Sequence, residues 1–134
     1  MRHSTDRPPN PVWNYYQTRD ARWLLLCMPM PVAYWPRFSK LIGQPDWAED
    51  ARFQSVAGLL TNGPQVVPAI REIIATKDLS DWARELDAAG LVWAPVAEMP
   101  EVIEDPALRE NGAFSLIVHP RAGAIETISA PFDI

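Results

Sequence analysis

The sequence predicts an α+β domain, built from two β-hairpins and a short edge strand, with about three helices between them. Two pairs of short segments rich in aromatic and aliphatic residues, each pair joined by a few polar or turn-forming residues, indicate the hairpins. Apolar residues at helical spacing in the middle of the chain indicate the helices. With 134 residues, the chain has the size of one domain and can bury about two thirds of its unfolded surface.

The first hairpin is predicted over Trp13–Thr18 and Arg22–Met28, with Arg19-Asp20-Ala21 between them. A left-handed conformation at residue 21 would cost an alanine roughly 1 kcal/mol, a cost that glycine avoids. We therefore expect this turn either to be strained at Ala21 or to be of a type that avoids positive φ.

Residues 1–11 are predicted to be a flexible tail or linker, so that the packed domain covers residues 12–134. Their last five residues are Arg7-Pro8-Pro9-Asn10-Pro11. Proline has no backbone amide donor and a fixed φ, so such a stretch favours an extended chain.

Three helices are predicted from apolar spacing. The first ends near Ile42, before Gly43, and must carry Pro36 near its first turn, since proline disrupts a helix interior. Residues 44–63 are predicted to be mostly irregular, apart from a short helical turn that Pro45-Asp46 could start. The second helix is predicted over Val67–Thr76.

The third helix is predicted to be capped by Asp78 and closed by Gly90. Leu91–Val96 follows as a short strand, and Pro95 favours a position at the edge of a sheet. Two brief helical turns are expected next, one with Pro100 at its first position and one capped by Asp105. The second hairpin is predicted over 114–119 and 124–129.

Composition excludes several classes of protein. The net charge is −5 and the charges are scattered, so no basic stripe predicts a nucleic-acid partner. No apolar run is long enough to span a membrane, and the polar first residues do not resemble a signal peptide, so we expect a cytoplasmic protein. The single cysteine cannot form an internal disulfide. Six tryptophans are many for this length, and they fit either a core or a surface that contacts another protein.

The sequence shows no convincing catalytic set. Its two histidines, His3 and His119, form no metal-binding constellation, and His119 is interpreted as a surface residue of a strand. There is no glycine-rich phosphate loop and no G-x-S-x-G motif. The acidic clusters lie in loop or cap contexts, which are poor settings for a general acid or base. We therefore predict no catalytic residue, no metal site and no cofactor bound by this chain alone.

Five segments, in order along the chain, resemble the small domain of the family III CoA-transferases. This family is of the CaiB/BaiF type and includes formyl-CoA transferases and α-methylacyl-CoA racemases. An aromatic hairpin with a Thr-x-Asp turn, a helix followed by a G-x-x-x-x-P-V strand, a D-P-x-x-R-x-x-G turn, H-P-x-x-G and P-F carry the resemblance. They stand at 10–26, 78–96, 105–112, 119–123 and 131–132.

The resemblance implies a partner that performs the chemistry. In the transferases, an aspartate of a Rossmann-like large domain attacks the thioester, and the large domain also supplies most of the surface that binds the CoA thioester substrate. No residue of this sequence matches that aspartate. The chain is thus expected to be a small-domain fragment, inactive alone, that works with a large domain or a second copy of itself, as a homo-oligomer. The resemblance also implies that Tyr16, Met28 and Met30 line the acyl end of the substrate site, although each could instead only pack the domain's own core.

Two departures from the family pattern bear on the substrate. Met30 stands where the racemase branch carries a glutamate, which argues against a racemase-like fragment. The stretch before the first hairpin has no glycine, whereas the oxalate-acting transferases have a glycine-rich loop there, so a larger acyl group is expected. A free-standing module that binds an acyl-CoA or a protein remains an alternative, and so does a truncated product without activity of its own.

Overall fold

A computed structural model describes residues 8–130, which belong to two compact units, Met1–Val96 and Ala97–Ile134. The first unit contains, in chain order, β1 Trp13–Gln17, β2 Trp23–Cys27, α1 Pro31–Leu41, α2 Asp46–Glu49, a 3₁₀ turn Ala51–Phe53, α3 Val56–Ile74, α4 Leu79–Ala88 and β3 Trp93–Pro95. The second contains α5 Met99–Glu104, α6 Pro106–Glu110, β4 Phe114–His119 and β5 Gly123–Ile128. The predicted α+β class, with two hairpins and a short third strand, is confirmed.

The first unit is built on an antiparallel sheet in the order β1-β2-β3. Trp13 pairs with Cys27, and Leu26 pairs with Trp93, so β3 lies at an edge as Pro95 predicts. The inner face of the sheet packs on the helices. The buried apolar residues of this core are Val12, Tyr16, Leu24, Leu26, Met28, Trp35, Phe38, Ile42, Phe53, Leu59, Val67, Ile70, Ile74, Trp82, Leu86 and Leu91.

The packed region begins before residue 12. Pro8, Asn10 and Pro11 are buried, and the Asn10 side chain donates to the carbonyl of Met28 at 3.0 Å while it accepts from the amide of Val12. The stretch predicted to be a tail therefore joins the core from residue 8 onward. The rest of that predicted tail, residues 1–7, and the P-F end of the family pattern, residues 131–132, lie outside the described residues.

The expectation for Pro36 was wrong. It is the sixth residue of α1, beyond the first turn, where its ring removes one helical hydrogen bond. The helix persists because its neighbours anchor it: Trp35 is buried, stacks on Trp47 with ring centroids 6.0 Å apart, and donates from Nε1 to the Trp47 carbonyl. Packing thus overrides the local disruption.

The expectation of an irregular stretch over 44–63 was correct only in part. The short turn α2 is present, but α3 begins at Val56, eleven residues before the predicted start at Val67, and contains Pro64 and Pro68. Ser55 caps it by accepting from the amide of Gly58 at 3.0 Å. Its buried stripe is Leu59, Gly63, Val67, Ile70 and Ile74, a helical spacing that glycine and proline hide in the sequence.

The second unit is a pair of short helices and a hairpin. Asp105 caps α6 as predicted, accepting from the amide of Ala107 at 2.8 Å. Pro100 is the second residue of α5, one position later than expected. In the hairpin, Phe114 pairs with Ile128 and His119 pairs with Gly123, which has φ +77°. The His119 ring accepts the amides of Arg121 and Ala122, so this residue organises the turn.

Candidate functional site

Ionisable side chains of the described residues form surface ion pairs. Between residues 8 and 130, no three His, Cys, Asp or Glu side chains are close enough to hold a metal ion. Several exposed carboxylates are paired with arginines instead. Hydrogen bonding from Arg52 lowers the pKa of Asp50, and hydrogen bonding from Arg109 lowers the pKa of Glu126. A lowered carboxyl pKa keeps these groups ionised, which suits a surface ion pair rather than a proton donor.

The three residues predicted to line a substrate lie in different environments. Tyr16 and Met28 are fully buried in the core of the first unit, whereas Met30 is 66% exposed. The Tyr16 hydroxyl donates to the Pro11 carbonyl at 2.6 Å, and burial raises its pKa. The structure thus places Tyr16 and Met28 in the same core cluster and leaves Met30 outside it. Their role toward a substrate stays a prediction.

The outer face of the first sheet is the most distinctive surface of the first unit. Opposite residues of antiparallel strands share a face. Val92 and Val96, which flank β3, continue the ladder, because Cys27 donates to the Val92 carbonyl and Val96 donates to the Trp23 carbonyl. Three rows of three therefore lie on this face: Trp13, Cys27 and Val92; Tyr15, Leu25 and Ala94; Gln17, Trp23 and Val96. We call these nine residues the outer sheet face. It carries no charged residue and only one strongly polar side chain, Gln17.

The side chains of the outer sheet face are open to solvent to an unusual degree. Trp13 is 48% exposed, and Tyr15 and Trp23 are 41% exposed each. A sheet with one solvated face normally alternates apolar and polar residues, but here both faces are apolar. This arrangement is typical of a sheet that forms the middle layer of a larger packing. It also answers the question about the tryptophans, since Trp35 and Trp82 are core and Trp13 and Trp23 form a surface.

Sequence reasoning missed this surface because the strand pattern is ambiguous. In Trp13–Gln17, aromatic residues occupy both faces: Tyr15 points outward and Tyr16 inward. A strict alternation of apolar and polar residues would have identified the buried face. Asn14 is the strongly polar residue inside this strand, and a polar residue in a half-exposed strand is usually expected on the solvent face. Asn14 is instead fully buried, so it would have indicated the wrong face.

The turn of the first hairpin is tied to the start of α4. Asp78 occupies the capping position, but the prediction that its side chain caps the helix was wrong. The Arg19 guanidinium donates to the two carboxylate oxygens of Asp78 at 2.9 and 2.8 Å. This hydrogen bonding lowers the pKa of Asp78. Asp20 takes over the cap, since its carboxylate accepts from the amide of Leu79 at 3.2 Å. Sequence alone could not reveal this exchange, because the two segments lie 59 residues apart.

The fold and this surface define a class of protein: a small α+β domain whose first sheet leaves a broad apolar face exposed among residues 8–130. None of the helices in that range is both long and apolar enough to cross a bilayer. The family model for "CoA-transferase family III" matches residues 1–134. The chain belongs to this family.

Three curated relatives carry CoA-transferase names. A probable CoA-transferase of Mycobacterium tuberculosis is 34% identical over 101 residues, which are 73% of this chain and 13% of that protein. A formyl-CoA:oxalate CoA-transferase of Rhodopseudomonas palustris is 25% identical over 89% of this chain and 28% of its own length. An (R)-2-hydroxy-4-methylpentanoate CoA-transferase of Clostridioides difficile is 22% identical over 76% of this chain and 26% of its own length.

Solved structures share the fold. A protein of M. tuberculosis covers 90% of this chain, with a TM-score of 0.65 and 25% identity. A CaiB/BaiF family protein of Brucella suis covers the whole chain, with a TM-score of 0.72 and 18% identity. The chain spans about a third of each of these structures, and 13% to 28% of the curated relatives described above.

Proposed function

We propose that this chain is the small domain of an acyl-CoA transferase, which moves CoA from an acyl-CoA to a carboxylic acid. In this proposal a large domain supplies the carboxylate nucleophile and the CoA site, and residues 8–96 shape the acyl end. The outer sheet face carries the proposal. This face is aromatic and uncharged, and the family model matches residues 1–134. Both observations fit a domain whose exposed sheet face is covered by a second domain.

The physical argument for completion is the cost of the exposed face. Trp13, Tyr15 and Trp23 each bury a large apolar area when covered, and covering apolar surface contributes about 25 cal/mol per Å². Strands β1 and β2 have five residues each and β3 has three, so with a spacing of about 4.8 Å between strands their outer face covers roughly 200 Å². An exposed apolar patch of this order that is rich in aromatic side chains fits an interaction site.

The experiment is reconstitution. We would co-express this chain with the large domain of each of the three relatives named above, and measure complex formation and CoA exchange between an acyl-CoA and an isotopically labelled acid. The expected result is exchange by a complex and none by the purified chain alone. Turnover of an acyl-CoA by the chain alone would refute the accessory role. If the chain forms a complex with none of the three large domains, the proposed pairing with a large domain is refuted.

Matched variants connect the result to the outer sheet face. Trp23→Lys places a charge on the middle strand of the outer sheet face and should abolish the complex. Ser80→Lys adds the same charge at an exposed position of α4 and should leave the complex intact.

Within this proposal, the acyl group is larger than formyl or oxalyl. The support is the absence of glycine in the stretch that precedes the first hairpin. In a reconstituted complex, a branched 2-hydroxyacyl-CoA should therefore be exchanged faster than oxalyl-CoA. A clear preference for oxalyl-CoA would contradict this assignment.

A CoA-binding role for the chain alone is less well supported. The apolar pocket of the second unit is lined by seven residues, none of them basic, whereas CoA carries several phosphates. Phosphates are normally bound by arginine, lysine or helix amino termini. Calorimetric titration of the chain with acyl-CoAs is expected to show no heat of binding.

A further inference from the structure

The second unit lacks a core of its own. Within residues 97–130 no residue is buried, although the segment is rich in large apolar residues. Leu116 is 73% exposed, Val118 83% and Ile128 73%. An isolated two-stranded hairpin is marginal in water, and two short helices bury little of it. The apolar side chains of this unit therefore need a covering surface.

An apolar groove shows where that surface fits. Met99, Val102 and Ile103 of α5 line one side, and Phe114 and Ile128 of the hairpin line the other. Its volume is about 170 Å³, below the range of pockets for drug-sized ligands, so it suits protruding aliphatic side chains of a protein partner.

The groove continues onto open sheet. In the register of the hairpin, Leu116 pairs with Glu126 and Val118 pairs with Ala124, so these rows share the face of Phe114 and Ile128. Rows two residues apart are about 7 Å apart along a strand. Neighbouring helices pack about 8–10 Å apart. A helix placed beside α5 would thus lie over Leu116 and Val118 with its side chains in the groove.

The charge of the second unit selects the partner. Residues 97–134 hold two of the 12 basic residues of the chain and seven of its 17 acidic ones. This unit therefore carries the whole net charge of −5, while residues 1–96 are balanced with ten of each sign. Several of the acids, including Glu98, Glu101 and Glu104, lie on or beside α5, the helix that forms one side of the groove.

We propose that the groove of the second unit, with the adjoining Leu116 and Val118, is the docking site for an amphipathic helix whose aliphatic stripe is flanked by lysine and arginine. The aliphatic stripe covers the apolar face, and the basic flanks meet the acids around α5. The assignment goes beyond the proposed function, because it gives the chemistry of a ligand for residues 97–130 whether or not CoA transfer takes place.

The test uses the whole chain and a labelled synthetic peptide of about 18 residues, five helical turns, with a leucine stripe flanked by lysines. A second peptide carries glutamate at every lysine position. Binding is followed by fluorescence anisotropy at low ionic strength and near 1 M salt, where the Debye length falls to about 3 Å. At low salt the lysine peptide should bind about tenfold or more tightly than the glutamate peptide, and salt should narrow the difference.

Two variants on one strand locate the site. Leu116→Lys removes an apolar contact from the proposed face and should weaken binding of the lysine peptide about tenfold, as expected for an interface anchor. Ser115→Lys adds the same charge on the opposite face of the hairpin and should have a much smaller effect. Both positions are exposed, so neither variant should disturb folding, which circular dichroism checks.

Four results would overturn the proposal. Equal affinity for the two peptides would show that charge does not select the ligand, and unchanged binding by Leu116→Lys would show that the peptide does not bind at this face. If neither peptide binds, both parts of the proposal fail. Loss of binding in Trp23→Lys would show that the peptide binds at the outer sheet face, and this result would also overturn the assignment.

Discussion

Replacing Ala21 by glycine should stabilise the first unit, and the structure allows the size of the effect to be worked out. Ala21 has φ +60°, the one non-glycine residue with positive φ between residues 8 and 130. Its amide donates to the Thr18 carbonyl at 3.1 Å, and its carbonyl accepts from the Gln17 side chain at 3.2 Å. Both bonds use backbone atoms of residue 21, so glycine retains them.

The net gain is the strain removed less the extra entropy of the unfolded chain. A left-handed conformation costs an alanine roughly 1–2 kcal/mol, and the flexibility of glycine in the unfolded state returns about 0.4–1 kcal/mol of that. Ala21→Gly should therefore raise the free energy of unfolding by about 0.5–1 kcal/mol. For a unit of this size the corresponding increase in Tm is about 2–6 °C.

Urea and thermal unfolding, followed by tryptophan fluorescence and circular dichroism, measure this change. The matched control is Ala83→Gly, the same substitution inside α4, which should lower the free energy of unfolding by about 0.5–1 kcal/mol. If Ala21→Gly lowers stability as Ala83→Gly does, the turn is not strained and the reasoning fails.

Three further substitutions test the packing, the cap and the exposed face. Gly63→Ala should destabilise by about 1 kcal/mol, because a Cβ there would lie 2.6 Å from Pro11 Cδ and overpacking outweighs the better helix propensity; unchanged urea midpoints would contradict this. Asp20→Asn should lower Tm at neutral pH by weakening the cap on Leu79. The pKa of Asp20 is lowered mainly by the hydrogen bond from the Thr18 hydroxyl. The ionised Asp20 carboxylate therefore stabilises the fold at pH values above its unfolded pKa, and this stabilisation is lost as the pH falls through the folded pKa. Parallel Tm profiles of the unaltered chain and Asp20→Asn between pH 7 and 3 would refute this reasoning. The unaltered chain should self-associate in sedimentation experiments and Trp23→Lys should shift it toward monomer; a monomer at high concentration would exclude association through this face.

Local sequence predicted the elements whose signals lie within a few residues. The first hairpin, the Asp105 cap and the Gly90 end of α4 depend on turn chemistry and capping, which act over about one turn of chain. The expectation of strain at Ala21 follows from the same local sterics. The family pattern was likewise readable, because it consists of such short signals in a given order.

The errors share one cause, which is packing between distant segments. Pro36 and Pro64 are tolerated inside helices because buried neighbours hold those helices against the core. Asp78 does not cap α4 because Arg19, from the first hairpin, takes its carboxylate. In each case a contact formed far away in sequence outweighs a local preference of a few kcal/mol or less.

The amino-acid sequence by itself determined the α+β class, the hairpins and the family, because patterns of turn residues and apolar spacing encode them directly. Only the tertiary structure decided which face of the first sheet is buried, how early α3 begins, and that the apolar residues of 97–130 remain uncovered. The physical reason is that burial is a property of the whole packed chain. When both faces of a sheet are equally apolar in sequence, the face on which the helices pack becomes the core, and the other face stays exposed.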